Sequence, residues 1–262
     1  MEKHESMGRK GTDMKPSRHE TPRRPLMVLT CTIASVLAVI AVAAAAASAA
    51  TPEYWKGGKP VSSESHIPYT WSGGQLKWAT ATERWECYSS TGEGEITNSS
   101  EGRFTLTLKE CKWHPKPEIL VSCTSKGQQT GTIATEPLKS HLYYGGEVSV
   151  ALNDLSPVEG THVASFVCGT VDSFEWRHSL LGSFEKIKQE ASTNSLVLKE
   201  LEGEQHYKEY ETVTSGCAKS GSESDYLESF HVGSSGWSQL GLEAPDTITF
   251  KENIEIHAPC IP

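Results

Sequence analysis

Several chemistries are missing from this 262-residue chain. No C-x-x-C pair occurs among its seven cysteines, so neither a zinc knuckle nor a thioredoxin-type redox pair is indicated. No G-x-S-x-G elbow presents a serine nucleophile. Glycines occur as Gly57-Gly58, Gly73-Gly74 and Gly92-Glu93-Gly94, but none opens a predicted helix, which removes the phosphate cradle of nucleotide loops. The histidines fall singly, without H-x-H or H-E-x-x-H, and no D-x-[DN]-x-[DN]-G loop is present, so neither a metal site nor a cofactor is expected. Basic residues are scarce, 24 Lys and Arg against 33 Asp and Glu, and no basic stripe interleaves with aromatics. Nucleic acid is therefore not an expected partner.

Long apolar runs are also absent, with one exception. Residues 26–50, LMVLTCTIASVLAVIAVAAAAASAA, carry no charge and follow Lys3, Arg9, Lys10, Lys15, Arg18, Arg23 and Arg24. That is the polarity of a segment whose N-terminus stays in the cytoplasm. The run can be read as a signal peptide, cleaved near the small residues Ala47, Ser48 and Ala49, or as a retained transmembrane helix, being long enough to span a bilayer. Both readings export the rest of the chain. Residues 1–25 read as a disordered basic segment and 51–66, TPEYWKGGKPVSSESH, as a linker. Residues 67–262 then form the exported domain, with two subdomains a possible division.

Six cysteines follow the apolar run: Cys87, Cys111, Cys123, Cys168, Cys217 and Cys260. An even count in an exported chain implies disulfides, of unspecified connectivity. The expected pairs are Cys111–Cys123 across a hairpin, Cys87–Cys168 and Cys217–Cys260. A cysteine nucleophile would need a free thiol, which the even count argues against.

The pattern of the domain is that of strands. Phe104, Leu106 and Leu108 alternate with threonines, and Val148, Val150 and Leu152 with Ser149 and Ala151. Gly145-Gly146 has the composition of a two-residue hairpin turn. Further strands are predicted at 95–97, 103–111, 119–125, 162–168, 174–181, 195–201, 205–211, 226–232 and 247–256, with a Ser-rich loop over 211–228. No amphipathic helix is evident; Phe184 to Ala191, FEKIKQEA, is long enough for a turn or two only. Many short strands point to an all-β antiparallel sandwich or barrel with disulfides, preceded by the signal or anchor helix.

Two features carry possible function. Trp71, Trp78 and Trp85 lie in an aromatic-rich stretch, and exposed rings stack on sugars or insert into partners. Their seven-residue spacing, however, would turn successive rings to opposite faces of a continuous strand. Paired carboxylates could hydrolyse a glycosidic bond, with Glu200, Glu202 and Glu204, or Asp154 and Glu159, as candidates; in an acidic chain such proximity also arises by chance. No catalytic residue is assigned.

The segments PEYWKGGKPV, GTIATEPLKSHLYY, HVASFVCG, SLLGSFEKI, LEGEQHYKEYE and APDTITFKENIEIHA resemble uncharacterised exported proteins of soil actinobacteria, over most of residues 52–258. The resemblance implies export and a β architecture, and it brings no activity, ligand or site residue. The expectation is an extracellular or cell-surface β protein that serves as a structural or binding module, with a cell-envelope component or glycan as partner. The membrane is reached only through residues 26–50. The rival expectation is a secreted polysaccharide hydrolase working through paired carboxylates.

Overall fold

A computed structural model describes residues 50–201 and 203–262, which belong to one compact unit. The predicted segment 1–25 and nearly all of 26–50 lie outside the described residues. Every regular element described is a strand, and no described helix is long and apolar enough to cross a membrane.

Two short strands, β1 (Glu53–Lys56) and β2 (Lys59–Pro60), lead into β3 (Ile67–Gly73) and the hairpin β4 (Leu76–Ala79) and β5 (Arg84–Cys87). Then come β6 (Ser89–Ile96), β7 (Glu101–Lys109), the hairpin β8 (Lys112–Lys116) and β9 (Ile119–Thr124), and the short β10 (Ile133–Ala134). The middle holds β11 (Leu138–Gly145), β12 (Val150–Pro157), the hairpin β13 (His162–Cys168) and β14 (Asp172–Arg177), β15 (Leu180–Phe184) and β16 (Ala191–Leu198). The last part runs through β17 (Glu200–Leu201), β18 (Glu204–Gln205), the hairpin β19 (Glu209–Val213) and β20 (Lys219–Ser224), β21 (Glu228–His231), β22 (Ser238–Gln239) and β23 (Gly241–His257).

Eight of these close a ring, every pairing antiparallel. Tyr69 of β3 sits opposite Gly94 of β6, Gly94 opposite Phe104 of β7, and Phe104 opposite Leu138 of β11. Ser140 of β11 then faces Leu155 of β12, Leu155 faces Leu180 of β15, and Phe184 of β15 faces Leu196 of β16. Leu196 pairs with Asp246 of β23, and Ile248 of β23 returns to Trp71 of β3. An eight-stranded barrel leaves room only for side chains or one small ligand. Here it is filled. Two-residue alternation turns Phe104, Leu106 and Leu108 inward and Arg103 and Thr105 outward. The rings of Tyr69 and Trp71 need more width, and β6 supplies it. A Cβ on Gly94 would stand 2.6 Å from Tyr69 Cζ, and one on Gly92 2.4 Å from the Thr105 carbonyl oxygen and 3.3 Å from Trp71 Cβ, so only glycine fits at either position.

Four connections at one end of the barrel carry a hairpin or hairpin-like insertion. These are β4–β5, β8–β9, β13–β14 and β21–β22. They pair side by side: β5 with β8, β9 with β13, β14 with β21, and β4 with the start of β23. The result is a second curled sheet that caps the barrel, with β23 running through both. Its core is aromatic. Trp176 packs edge-on against Trp78 at 5.0 Å and Phe166 at 4.8 Å; Phe174 takes Trp85 at 5.2 Å and Trp113 at 5.1 Å. Such pairs add about 0.5–1.5 kcal/mol each beyond area burial.

The disulfides join Cys87 to Cys111, Cys123 to Cys168 and Cys217 to Cys260. The third is as expected; the expected Cys87–Cys168 and Cys111–Cys123 pairs are corrected. The reason is the cap's order. Cys123 and Cys168 are direct cross-strand neighbours on β9 and β13, which places Cys168 away from β5. Cys87 and Cys111 flank the β6–β7 hairpin, whose return brings them together.

Four local expectations also change. The stretch read as linker is structural: Tyr54 is buried and pairs with Ile256, because the β3 ladder on β23 ends at Phe250 and leaves an open edge for β1. The predicted two-residue turn at Gly145-Gly146 is a four-residue loop, since Gly145 pairs directly with Val150. Gly146, Glu147 and Val148 take φ of 57°, 60° and 63°. The carboxylate of Glu211 accepts the N–H groups of Glu147 at 3.1 Å and Val148 at 2.6 Å, which holds this left-handed turn. Residues 211–228 form no open loop but mostly the β19–β20 hairpin. No helical turn forms between Phe184 and Ala191. There the buried Asn194 accepts from Lys186 N at 3.0 Å and donates to Lys186 O at 2.7 Å.

Candidate ligand groove on the cap

The indoles of Trp71, Trp78 and Trp85 are 2%, 1% and 2% exposed, so the expected aromatic surface is corrected to core. Their seven-residue spacing misleads because the three lie on separate strands. Thr80 closes the turn between β4 and β5, its N–H donating to Glu83 O at 2.9 Å and its hydroxyl oxygen accepting Glu83 N at 3.0 Å. That turn puts Trp78 opposite Trp85 on one face, against the cap core. The same register fixes what the outer face shows.

Outward on these strands lie two parallel rows. One runs Glu243 (β23), Lys77 (β4), Glu86 (β5), Lys112 (β8), alternating in charge with each strand. The other runs Gly241, Ala79 and Arg84, with His114 following on β8, and contains no acid. Gly241 and Ala79 offer no bulk, so the second row is hollow at one end and cationic at the other. Gly203 closes the hollow: at φ 84°, a Cβ there would fall 2.8 Å from the backbone carbon of Thr80. The resulting groove has a volume of about 540 Å³, within the range of ligand sites. Lys77, Trp78, Thr80, Arg84, Glu86 and His114 contribute to its lining. His114 Nε2 lies 3.6 Å from Glu86 Oε1. The side chains of Lys77, Arg84 and Glu243 form no ion pair or hydrogen bond among the described residues.

Other titratable groups are spoken for. His231 on β21 is clamped between Glu83 Oε1 at 2.9 Å and Asp172 Oδ1 at 3.3 Å, and stacks on Phe174 at 4.4 Å. Burial pushes the Glu83 carboxyl above its ordinary range, against the pull of His231. Asp246 is buried in the barrel: Trp71 Nε1 donates to Ser90 Oγ at 3.3 Å, and Ser90 Oγ donates to Asp246 Oδ1 at 2.9 Å. Its Oδ2 has no partner among the described residues. Asp246 and Thr135 also line a largely apolar cavity of about 40 Å³ between barrel and cap, room for water rather than a ligand. Burial raises the pKa of Asp246 to about 6, with the nearby donors Ser90 and Trp71 working the other way.

Of the carboxylates singled out in the sequence, Asp154 lies buried on β12, where desolvation lifts its pKa to about 6, while Glu159 is exposed in the following turn. Glu204 pairs with Lys208. Glu202 and the side chain of Glu200 lie outside what is described. Among the described residues no cluster of His, Cys, Asp and Glu is arranged to hold a metal ion. Sequence reasoning passed over Lys77, Arg84, Glu86, His114 and Glu243. The signal available was the symmetry of Trp78 and Trp85 about residues 80–83, which announces a hairpin and hence its outward partners.

Fold and groove together define a class: a disulfide-stapled, eight-stranded antiparallel barrel capped by a curled sheet that bears a polar groove. No family model, curated protein or solved structure matches the chain.

Proposed function

We infer that the protein is an exported binding module of the cell surface or surrounding medium, and that a hydroxyl-rich envelope component, a saccharide, occupies the cap groove. The observation that carries this reading is the groove itself, a concave surface in which donors (Lys77, Arg84) and an acceptor (Glu243) stand unpaired on a rigid sheet. Saccharides offer hydroxyls of both kinds, and a site preorganised on strands loses little on binding them. Three disulfides suit an oxidising compartment, in keeping with residues 26–50 acting as signal or membrane anchor. The likeness to exported actinobacterial proteins supports the same location. Among the described residues, the placement of Asp154, Glu159 and Glu204 brings no two of them into a shared cleft that would favour the hydrolase.

The test is expression of the full chain in a secreting bacterial host, followed by intact-mass measurement and binding to purified cell-wall polysaccharides. Recovery outside the cytoplasm with three bridges, and saturable saccharide binding without release of reducing ends, supports the reading. Cytoplasmic retention with reduced cysteines would overturn the export half, and failure to bind any saccharide the binding half.

A further inference from the structure

The groove's charge pattern is more specific than a general affinity for sugars. The row Glu243, Lys77, Glu86, Lys112 alternates in sign, each charge having an opposite charge as its cross-strand neighbour, although no ion pair closes between them among the described residues. The row beside it does not. Arg84 stands exposed on β5, flanked by Ala79 on one side and followed on the other by His114, and no acid lies in the row to meet it. Trp85↔Trp113 pairing brings His114 level with Arg84 across the β5–β8 seam. A guanidinium fork presents two parallel N–H donors matched to a carboxylate, and Arg84 lines the groove together with Ala79, Thr80 and Gly203.

What surrounds the fork limits what it can hold. Glu86 and Glu243 line the same groove. They accept hydrogen bonds from hydroxyl groups, and they repel a ligand that carries closely spaced anionic charges. A phosphate polymer would bring a charge at each repeat against those two carboxylates, and the acidic surface of the chain adds to the repulsion. A sugar ring bearing one carboxylate meets both demands, with its acid on Arg84 and its hydroxyls on Glu86, Glu243 and Lys77.

We propose that the cap groove is a site for acidic saccharides of the uronic-acid type, with Arg84 as the residue that recognises the carboxylate and Glu86 and Glu243 as acceptors for ring hydroxyls. The inference rests on the binding-module reading and narrows its ligand class. Because Arg84 is exposed and outside both cores, its replacement leaves folding intact.

The experiment is isothermal titration of the oxidised protein with an oligogalacturonate, with the methyl ester of the same oligosaccharide, and with a short polyphosphate. The proposal expects the oligogalacturonate to bind at least tenfold more tightly than the ester, and polyphosphate to bind weakest. Arg84→Ala should lose at least tenfold for the acid and little for the ester, and Arg84→Lys, which keeps the charge but not the fork, should recover only part. Lys139→Ala, an exposed cation on the barrel wall, should bind as the parent does. Equal affinity for acid and ester would overturn the acidic-sugar assignment and leave the saccharide-binding reading standing. Unchanged acid binding by an Arg84→Ala protein with an unaltered thermal midpoint would overturn the site. Absence of binding to acid and ester alike would overturn the acidic-sugar assignment, and the saccharide-binding reading with it only if the cell-wall polysaccharides also fail to bind.

Discussion

The barrel mixes aliphatic chains with the rings of Tyr69, Trp71, Phe104 and Phe250, whereas the cap concentrates Trp78, Trp85, Trp113, Phe166, Phe174 and Trp176 in its own core. The two also differ at their seams. Round most of the barrel each strand meets its neighbours over four or more register pairs, though β15 and β16 share two. In the cap, β5 and β8 share two pairs, as do β9 and β13. Cys87–Cys111 and Cys123–Cys168 lie beside or within those two short ladders. The third bridge ties the β19–β20 turn to the segment after β23. No disulfide cysteine lies on a strand of the barrel ring. Two of the three bridges thus reinforce two-pair seams of the cap, while the equally short β15–β16 seam of the closed ring does without one.

The largest expected effect breaks the cap core. Phe174→Ala removes a ring in contact with Trp85, Trp113, Phe166 and His231, and should cost about 3–5 kcal/mol. Four of the buried indoles report on the cap and only Trp71 on the barrel, so tryptophan fluorescence should fall at lower denaturant than the far-ultraviolet β signal. Coincident transitions would mean that cap and barrel unfold as one. Replacing Cys123 and Cys168 together by serine should cost about 2–5 kcal/mol and move the fluorescence transition in the same direction. Little change would show that the short β9–β13 ladder holds by itself.

The next effect belongs to the barrel. Folded Asp246 keeps its proton up to about pH 6, while the unfolded chain releases it near 3.8. Its contribution to stability is therefore full below about 3.8 and declines as pH rises through 6, by up to about 3 kcal/mol. Asp246→Asn, which keeps an acceptor for Ser90, should flatten that decline in denaturation curves measured between pH 4 and 7. Asp154, raised to about 6 by burial, should leave a residual slope of the same sign. A variant as pH-dependent as the parent would remove Asp246 from the account.

The smallest effect separates the staples by access. Cys87, Cys111, Cys123 and Cys168 are buried, whereas Cys217 and Cys260 are partly exposed. A mild dithiol followed by alkylation should label Cys217 and Cys260 first, with fluorescence of the cap unchanged. Early labelling of Cys123 would place the weak point in the cap.

Much of this architecture is legible in the residues. The strand predicted at 162–168 coincides with β13, and 247–256 falls within β23, because each shows two-residue alternation with apolar side chains on one face. The closure of eight strands is not legible, since it depends on pairings between segments as distant as Trp71 and Ile248. Gly92 and Gly94 were a signal of it: two glycines at strand spacing mark a wall that makes way for rings. The groove was hidden for another reason. Arg84, Glu86 and His114 form no motif along the chain, and only the cross-strand register of the hairpins brings them into adjacent positions.

β23 supplies one side of the barrel ring, the edge that receives β4 of the cap, and the edge that receives β1. It is also the last of the described strands. A polypeptide threaded N-terminus first through a narrow pore therefore cannot complete either layer until residues 241–257 have emerged. Until then, β3 and β16 wait with open edges for the same strand. Were the chain exported as proposed, it would stay unclosed and threadable throughout passage, and this seventeen-residue strand would be the latch that ends it.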